Sequence, residues 1–97
     1  MGVQAAIRLT IAALDAGTPI GSIVRRCPDV ALAFDRRGAT LLHRAARLGR
    51  ADAVWVLTNH GAAADSIDLA GRRAVPLYAP AYVLAAVARD RPRLVML

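Results

Sequence analysis

The N-terminal residues show hydrophobic positions at helical spacing. Ile7, Ile11 and Leu14 lie four and three residues apart, so a helix over residues 3–16 places them on one face. Gly17 follows, and a glycine commonly ends a helix because it tolerates left-handed backbone. The pattern therefore predicts a first helix that ends before Gly17 and buries one apolar stripe.

A shorter second helix is expected after this glycine. Thr18 is the predicted N-cap, and Pro19 suits the first helical position. The apolar face of this helix consists of Ile20, Ile23 and Val24. Pro28 prevents the helix from continuing. In the connector that follows, apolar residues alternate at Val30, Leu32 and Phe34, which predicts partly extended backbone.

Two more helices are predicted in the middle of the chain. The third covers roughly residues 40–48, with Thr40 as its cap and Gly49 as its end. The fourth covers residues 51–59 and ends at Gly61. The residues of the fourth helix that are expected to face inward are Val54 and Leu57.

A turn occurs twice in the sequence at a fixed spacing. Asp35 and Gly38 bound the first copy, and the same residue types recur 33 positions later at Asp68 and Gly71. Beyond the second copy, residues 85–97 align with residues 45–57 at an offset of 40. The sequence therefore predicts an insertion near residues 72–80, which include two prolines, between the second turn and a fifth helix.

Composition and charge indicate which kinds of partner the chain could bind. The chain is 57% hydrophobic, which is too apolar for a disordered segment. All 13 basic residues are Arg, all seven acidic residues are Asp, and the net charge is +6. A guanidinium group is always charged and its planar fork matches carboxylates and phosphates. These features indicate an acidic partner, which could be a protein face, nucleic acid or a membrane surface.

Targeting features are sparse. Cys27 is the only cysteine, so an intrachain disulfide is impossible and a reducing compartment is expected, the cytoplasm or a host cytosol. No apolar run approaches the length of a membrane span of about 18 residues. Arg8 and Asp15 interrupt the N-terminal apolar segment, and we therefore predict neither a signal peptide nor membrane association.

The middle third of the chain resembles the ankyrin repeat. The residues that carry the resemblance are Asp35, Gly38, Thr40, Leu42, His43, Ala45, Ala46, Gly49, Val54, Val56, Leu57, Gly61, Ala62 and Asp65. The family prefers proline where this chain has Leu41. The resemblance implies an all-α solenoid, in which antiparallel helix pairs are stacked and joined by turn or hairpin loops. It further implies one domain over residues 1–97, divided into units of about 3–34, 35–67 and 68–97. The last unit is expected to keep the turn and two helices.

His43 invites a catalytic interpretation, which the resemblance replaces with a structural one. In the family, this histidine and Thr40 tie the turn to the helix, and Gly38, Gly49 and Gly61 complete the structural motif. The sequence offers no convincing nucleophile or carboxylate partner and no set of metal ligands. We therefore predict a protein that is not an enzyme and has no cofactor and no metal site.

The resemblance also implies where a partner would bind. Ankyrin proteins use their turn tips and inner helices, which here correspond to Arg36, Arg37, Ala39, Arg44, Arg47, Leu48, Leu69, Ala70 and Arg72. Trp55 is added as a residue at a solvent-facing position of the fourth helix, since tryptophan is enriched at interfaces. The expected function is that of an adaptor, inhibitor or toxin-neutralising protein, whose basic concave face binds an acidic protein surface. The alternative is a basic nucleic-acid-associated protein. The apolar C-terminal residues raise the further expectation of a homodimer through an uncapped end.

Overall fold

The chain folds as an all-α protein. The computed structural model describes residues 2–77 and 79–88. Its helices are α1 (Val3–Ala16), α2 (Gly21–Arg26), α3 (Leu41–Arg47), α4 (Ala51–Asn59) and α5 (Ala81–Ala88), with a 3-10 helix at Pro28–Ala31. Within these residues, extended pairing is limited to two isolated antiparallel bridges, Phe34 with Thr40 and Ile67 with Arg73. The predicted all-α class and the bounds of α1 and α4 are confirmed.

The buried face of α1 differs by one position from the predicted stripe. Ala6, Thr10 and Leu14 are buried, whereas Ile7 and Ile11 are half-buried at the edge of the core. The hydroxyl of Thr10 donates to the carbonyl oxygen of Ala6 at 2.7 Å, so its burial leaves no unpaired polar atom. A small residue and an internally bonded threonine thus let α1 approach its neighbours closely.

Two predictions around α2 are wrong. Thr18 does not cap this helix and Pro19 is not its first residue, because the helix begins at Gly21 and has no side-chain cap. The backbone N–H and the hydroxyl of Thr18 both bond to the carbonyl oxygen of Ala13, at 2.9 and 3.3 Å, so Thr18 closes the C-terminus of α1. The connector is extended in part, as predicted, at Phe34, which bridges to Thr40. Its first residues instead form the 3-10 helix that buries Val30.

The core lies between the helix pairs. α1 packs against α3, α2 packs against α4, and α3 packs against α4. α3 and α4 are joined at Gly49, whose φ of 73° is the left-handed conformation that a glycine adopts without strain. The predicted inward residues Val54 and Leu57 are fully buried.

The segment after the second turn departs from the pattern of the middle third. At a spacing of 33, residues 74–80 correspond to α3, yet the described residues among them form only bends and a turn. Pro76 and Pro80 explain this, because each disfavours helical backbone at the residue before it. One of the two helices predicted here is α5, which packs against α4. The other falls in residues 89–97, as does the predicted dimerising end, and lies outside the described residues.

Candidate partner-binding cleft

The two turns have the same hydrogen bonds. We call residues 35–38 the first turn and residues 68–71 the second turn. In the first, Asp35 Oδ1 accepts from the N–H groups of Arg37 and Ala39, at 2.8 and 3.0 Å. In the second, Asp68 Oδ1 accepts from Ala70 and Arg72, both at 2.9 Å. The 33-residue spacing therefore relates two copies of one backbone structure.

These bonds set the charge state of both aspartates. The N–H of Ala39, and then that of Arg37, lower the pKa of Asp35. The N–H of Arg72 lowers the pKa of Asp68, and the guanidinium of the same arginine adds to this by donating from Nε to Oδ2 at 2.9 Å. Each carboxylate is therefore held ionised by the loop that it organises.

Two hydrogen bonds hold the second turn, one from the first turn and one from α3. The N–H of Leu69 donates to the carbonyl oxygen of Arg37 at 2.8 Å. His43, which is almost completely buried, contacts the carbonyl oxygen of Arg72 through Nε2 at 3.0 Å. The second turn is thus held both by the first turn and by the N-terminal end of α3.

His43 also forms a capping box with Thr40. The hydroxyl of Thr40 accepts from the N–H of His43 at 3.3 Å, and Nδ1 of His43 accepts from the N–H of Thr40 at 3.0 Å. Since Nδ1 is an acceptor, Nε2 carries the proton and donates to Arg72. Both ring nitrogens are therefore used in structural bonds, and none of the described residues forms a metal-binding group of three or more His, Cys, Asp or Glu side chains.

A cleft of about 620 Å³ opens beside α3, and we call it the basic cleft. One wall is formed by Ala39, His43, Ala46 and Arg47, and the other by Arg72, Arg73, Pro76, Leu77 and neighbouring residues. Three arginines thus line one opening. Among the described residues of the wall the one carboxylate, Asp68, already accepts from Arg72. The cleft therefore has an excess of positive charge.

The predicted partner-binding residues divide between several places. Ala39, Arg47 and Arg72 lie in the wall of the basic cleft. Five further predicted residues lie outside the cleft and are exposed, either on the turns or at the end of α3. They are Arg36, Arg37, Leu48, Leu69 and Ala70. Arg44 differs, because its Nη1 contacts both carboxylate oxygens of Asp15 in α1, at 3.0 and 3.2 Å. That ion pair joins α1 and α3 and makes Arg44 a weaker candidate for binding a partner.

Trp55 lies away from the cleft. Its side chain is 36% exposed and lines a second groove, which is formed by α2, α4 and α5 and includes Ile20, Val56 and Tyr82. The side chain is therefore neither fully exposed nor covered. The structure does not bring it together with the predicted arginines.

Sequence reasoning missed three residues that matter here. Arg73 and Leu77 line the basic cleft, but they fall in the predicted insertion. Arg50 is half-buried and donates to the carbonyl oxygens of Leu14 at 3.1 Å and Thr18 at 2.9 Å, so it holds the C-terminus of α1. Its bond to Asp52 raises the pKa of Arg50 and lowers that of Asp52. The one indication of this role in the sequence is that Arg50 directly follows Gly49, the glycine that ends α3.

Comparisons with known proteins give no further assignment. No family model, no curated protein and no solved structure matches the chain. Among the described residues, no helix is both long and apolar enough to cross a membrane. The geometry of the turns and the cleft is therefore the basis for a functional proposal.

Proposed function

We propose that the protein is a non-enzymatic binding module of the ankyrin-repeat type that captures an acidic surface of a partner protein. The observation that carries this proposal is the pair of turns with identical hydrogen bonds, 33 residues apart and joined through His43. That spacing and the Thr40–His43 cap are what the ankyrin pattern requires. A reducing compartment, the cytoplasm or a host cytosol, is part of the proposal, since Cys27 is the only cysteine.

The arrangement of cations supports an acidic partner. Arg36 and Arg37 are exposed on the first turn, and Arg47 is exposed at the end of α3. The bond from Leu69 to the carbonyl of Arg37 fixes the first turn against the second, so these charges are presented by ordered backbone. A preformed surface of this kind lowers the ordering cost of binding. The adaptor, inhibitor and toxin-neutralising roles all remain compatible with it.

Charge reversal on the first turn tests the proposal. The variant Arg36→Glu/Arg37→Glu is compared with Arg25→Glu/Arg26→Glu, which makes the same change of net charge at two exposed neighbours on α2. Proteins captured by the immobilised wild-type chain are quantified by mass spectrometry, and circular dichroism checks that both variants are folded. We expect capture of acidic proteins to be lost only with the first-turn variant. Equal capture by all three proteins would contradict the proposal.

The rival function, nucleic-acid binding, is tested with the same variants. The positive charge that attracts carboxylates also attracts phosphates, which favours nucleic acid as a partner. The sequence has only four aromatic residues for stacking on bases, which disfavours binding to single strands. Labelled duplex DNA is titrated at physiological salt with unlabelled competitor. We expect weak binding that the competitor removes, because such attraction is non-specific and salt-dependent. Tight, competitor-resistant binding would favour the nucleic-acid function instead.

A further inference from the structure

The basic cleft exists because the segment after the second turn does not form a helix. Residues 74–80 correspond to α3 by the 33-residue spacing, but two prolines keep the described residues among them irregular. The next helix, α5, packs mainly against α4. Ala46 and Arg47 consequently face an opening of about 620 Å³. A cavity of this size accommodates several side chains of a ligand.

The walls of the cleft combine charge with an uncovered aliphatic surface. Leu77 is 78% exposed, so its apolar side chain is available to a ligand, and burying it would stabilise a complex. Pro76 and Pro80 also line the cleft and add apolar surface, while Arg47 and Arg73 line it from opposite walls. Arg72 is anchored through Nε to Asp68, and its side chain is still 60% exposed. Guanidinium groups on a fixed frame favour bidentate contacts with carboxylates.

We propose that the basic cleft binds a short linear segment of a partner protein in which acidic residues flank an aliphatic side chain. The carboxylates pair with Arg47, Arg72 and Arg73, and the aliphatic side chain packs on Leu77 and the neighbouring prolines. Charge complementarity selects the acidic groups, and the exposed leucine selects the aliphatic one. This inference rests on the proposed function and deepens it, because it names the part of the partner that is recognised.

The test uses a random peptide display library selected on the whole chain. Enriched peptides are synthesised and their dissociation constants are measured for wild type, Leu77→Ser, Arg47→Glu/Arg73→Glu and the first-turn variant Arg36→Glu/Arg37→Glu. The matched control for Leu77→Ser is Leu9→Ser, which changes an exposed leucine on α1. The control for the arginine pair is Arg25→Glu/Arg26→Glu. Circular dichroism confirms that each variant is folded. Neutral serine is chosen at position 77 so that the loss of apolar contact is measured without added charge.

We expect enriched peptides to carry Asp or Glu on both sides of Leu, Ile, Val or Met. Their affinity is expected to fall about tenfold with Leu77→Ser and by more than that with Arg47→Glu/Arg73→Glu, while both controls stay within about twofold of wild type. Acidic peptides that need Arg36 and Arg37 but are indifferent to the cleft variants would overturn this inference and leave the proposed function standing. Failure to enrich acidic peptides at all would overturn both.

Discussion

Residues 35–67 and residues 68–88 begin in the same way and continue differently. Both segments open with an aspartate that accepts two backbone N–H bonds and a glycine at positive φ, 76° at Gly38 and 79° at Gly71. After the first turn, α3 starts at once. After the second turn, no helix begins until Ala81 in the described residues.

The difference shows that the turn and the helix after it are specified separately. Asp35 and Asp68 organise the turns through local bonds, which do not require that a helix follows. The helix additionally needs a cap and an uninterrupted backbone. Thr40 and His43 supply the cap after the first turn, but Arg73 and Pro76 stand at the corresponding positions after the second. The first segment therefore continues into a helix directly after its turn, whereas the second leaves the basic cleft open beside α3.

The largest expected effect is that of His43→Ala. This change removes half of the capping box and leaves the N–H of Thr40 without its partner. The carbonyl oxygen of Arg72 loses one of its two donors and keeps the N–H of Asp68 at 3.0 Å. We expect the free energy of unfolding to fall by about 2–4 kcal/mol, the sum of a lost cap, an unsatisfied N–H group and a lost bond to the second segment. Urea unfolding followed by circular dichroism measures it. A loss below about 1 kcal/mol would show that His43 does not connect the two segments.

Acid is expected to destabilise both turns. The folded-state pKa values of Asp35 and Asp68 lie below the ordinary value of 3.8, so the unfolded chain binds protons first as the pH falls. The stability that these groups contribute is fully present above pH 3.8 and is lost as the pH falls through their folded-state values. The melting temperature measured from neutral to acidic pH should therefore drop steeply at the acidic end.

Single substitutions separate the contributions of Asp35 and Asp68 to the acid sensitivity. Asp68 is buried and accepts from Arg72, whereas Asp35 is exposed. At neutral pH, Asp68→Asn should lower the melting temperature more than Asp35→Asn, and each variant should show a shallower acid dependence than wild type. If the slope of melting temperature against pH is the same in both variants and in wild type, the turn carboxylates are not the groups that titrate.

The paired substitutions Gly38→Ala and Gly71→Ala test how the turns contact each other. Both glycines have positive φ, which costs an alanine about 1–2 kcal/mol. A methyl group at Gly38 would also lie 3.3 Å from the backbone nitrogen of Leu69, but at Gly71 it would meet nothing within 4 Å. We expect Gly38→Ala to be the more destabilising of the two in urea unfolding. Equal losses would mean that the second turn can move away from the first without cost.

The smallest expected effect comes from transferring the cap to the second segment. Arg73→Thr with Pro76→His reproduces the Thr-x-x-His pattern of the first segment. Pro80 remains, so we expect a gain of only about one helical turn, roughly four residues, in far-ultraviolet circular dichroism. Arg73→Thr alone is the control and should leave the signal unchanged. No gain in the double variant would show that Pro80 by itself prevents the helix.

Local patterns predicted much of this fold. The ends of α1 and α4, the cap at Thr40 and the repeated turn all depend on residues within about four positions of each other, which a sequence displays directly. Thr18 was misassigned because two helix ends compete for it, and its bonds to Ala13 decide the outcome. The 3-10 helix after Pro28 was missed because a short apolar alternation does not distinguish it from a strand.

Local sequence patterns predicted only part of the candidate site. The position of the arginines followed from the repeat pattern, but the pairing of Arg44 with Asp15 spans 29 residues and has no local signature. Arg73 and Leu77 belong to the site because they line the same cleft as Ala46 and Arg47 of α3. A cleft that results from a missing helix depends on tertiary packing, and the sequence shows only the prolines that prevent the helix.

The bond between Arg50 and the end of α1 has a consequence for how the protein unfolds. Nearest-neighbour descriptions of repeat proteins divide stability into a term for each unit and a term for each junction. The carbonyl oxygens of Leu14 and Thr18 accept from the side chain of Arg50, which is more than thirty residues away in sequence. Part of the stabilisation of the end of α1 therefore belongs to its junction with the next segment. Residues 3–34 on their own would lack it. A large junction term raises cooperativity, so partially unfolded states with only one end intact should be sparsely populated.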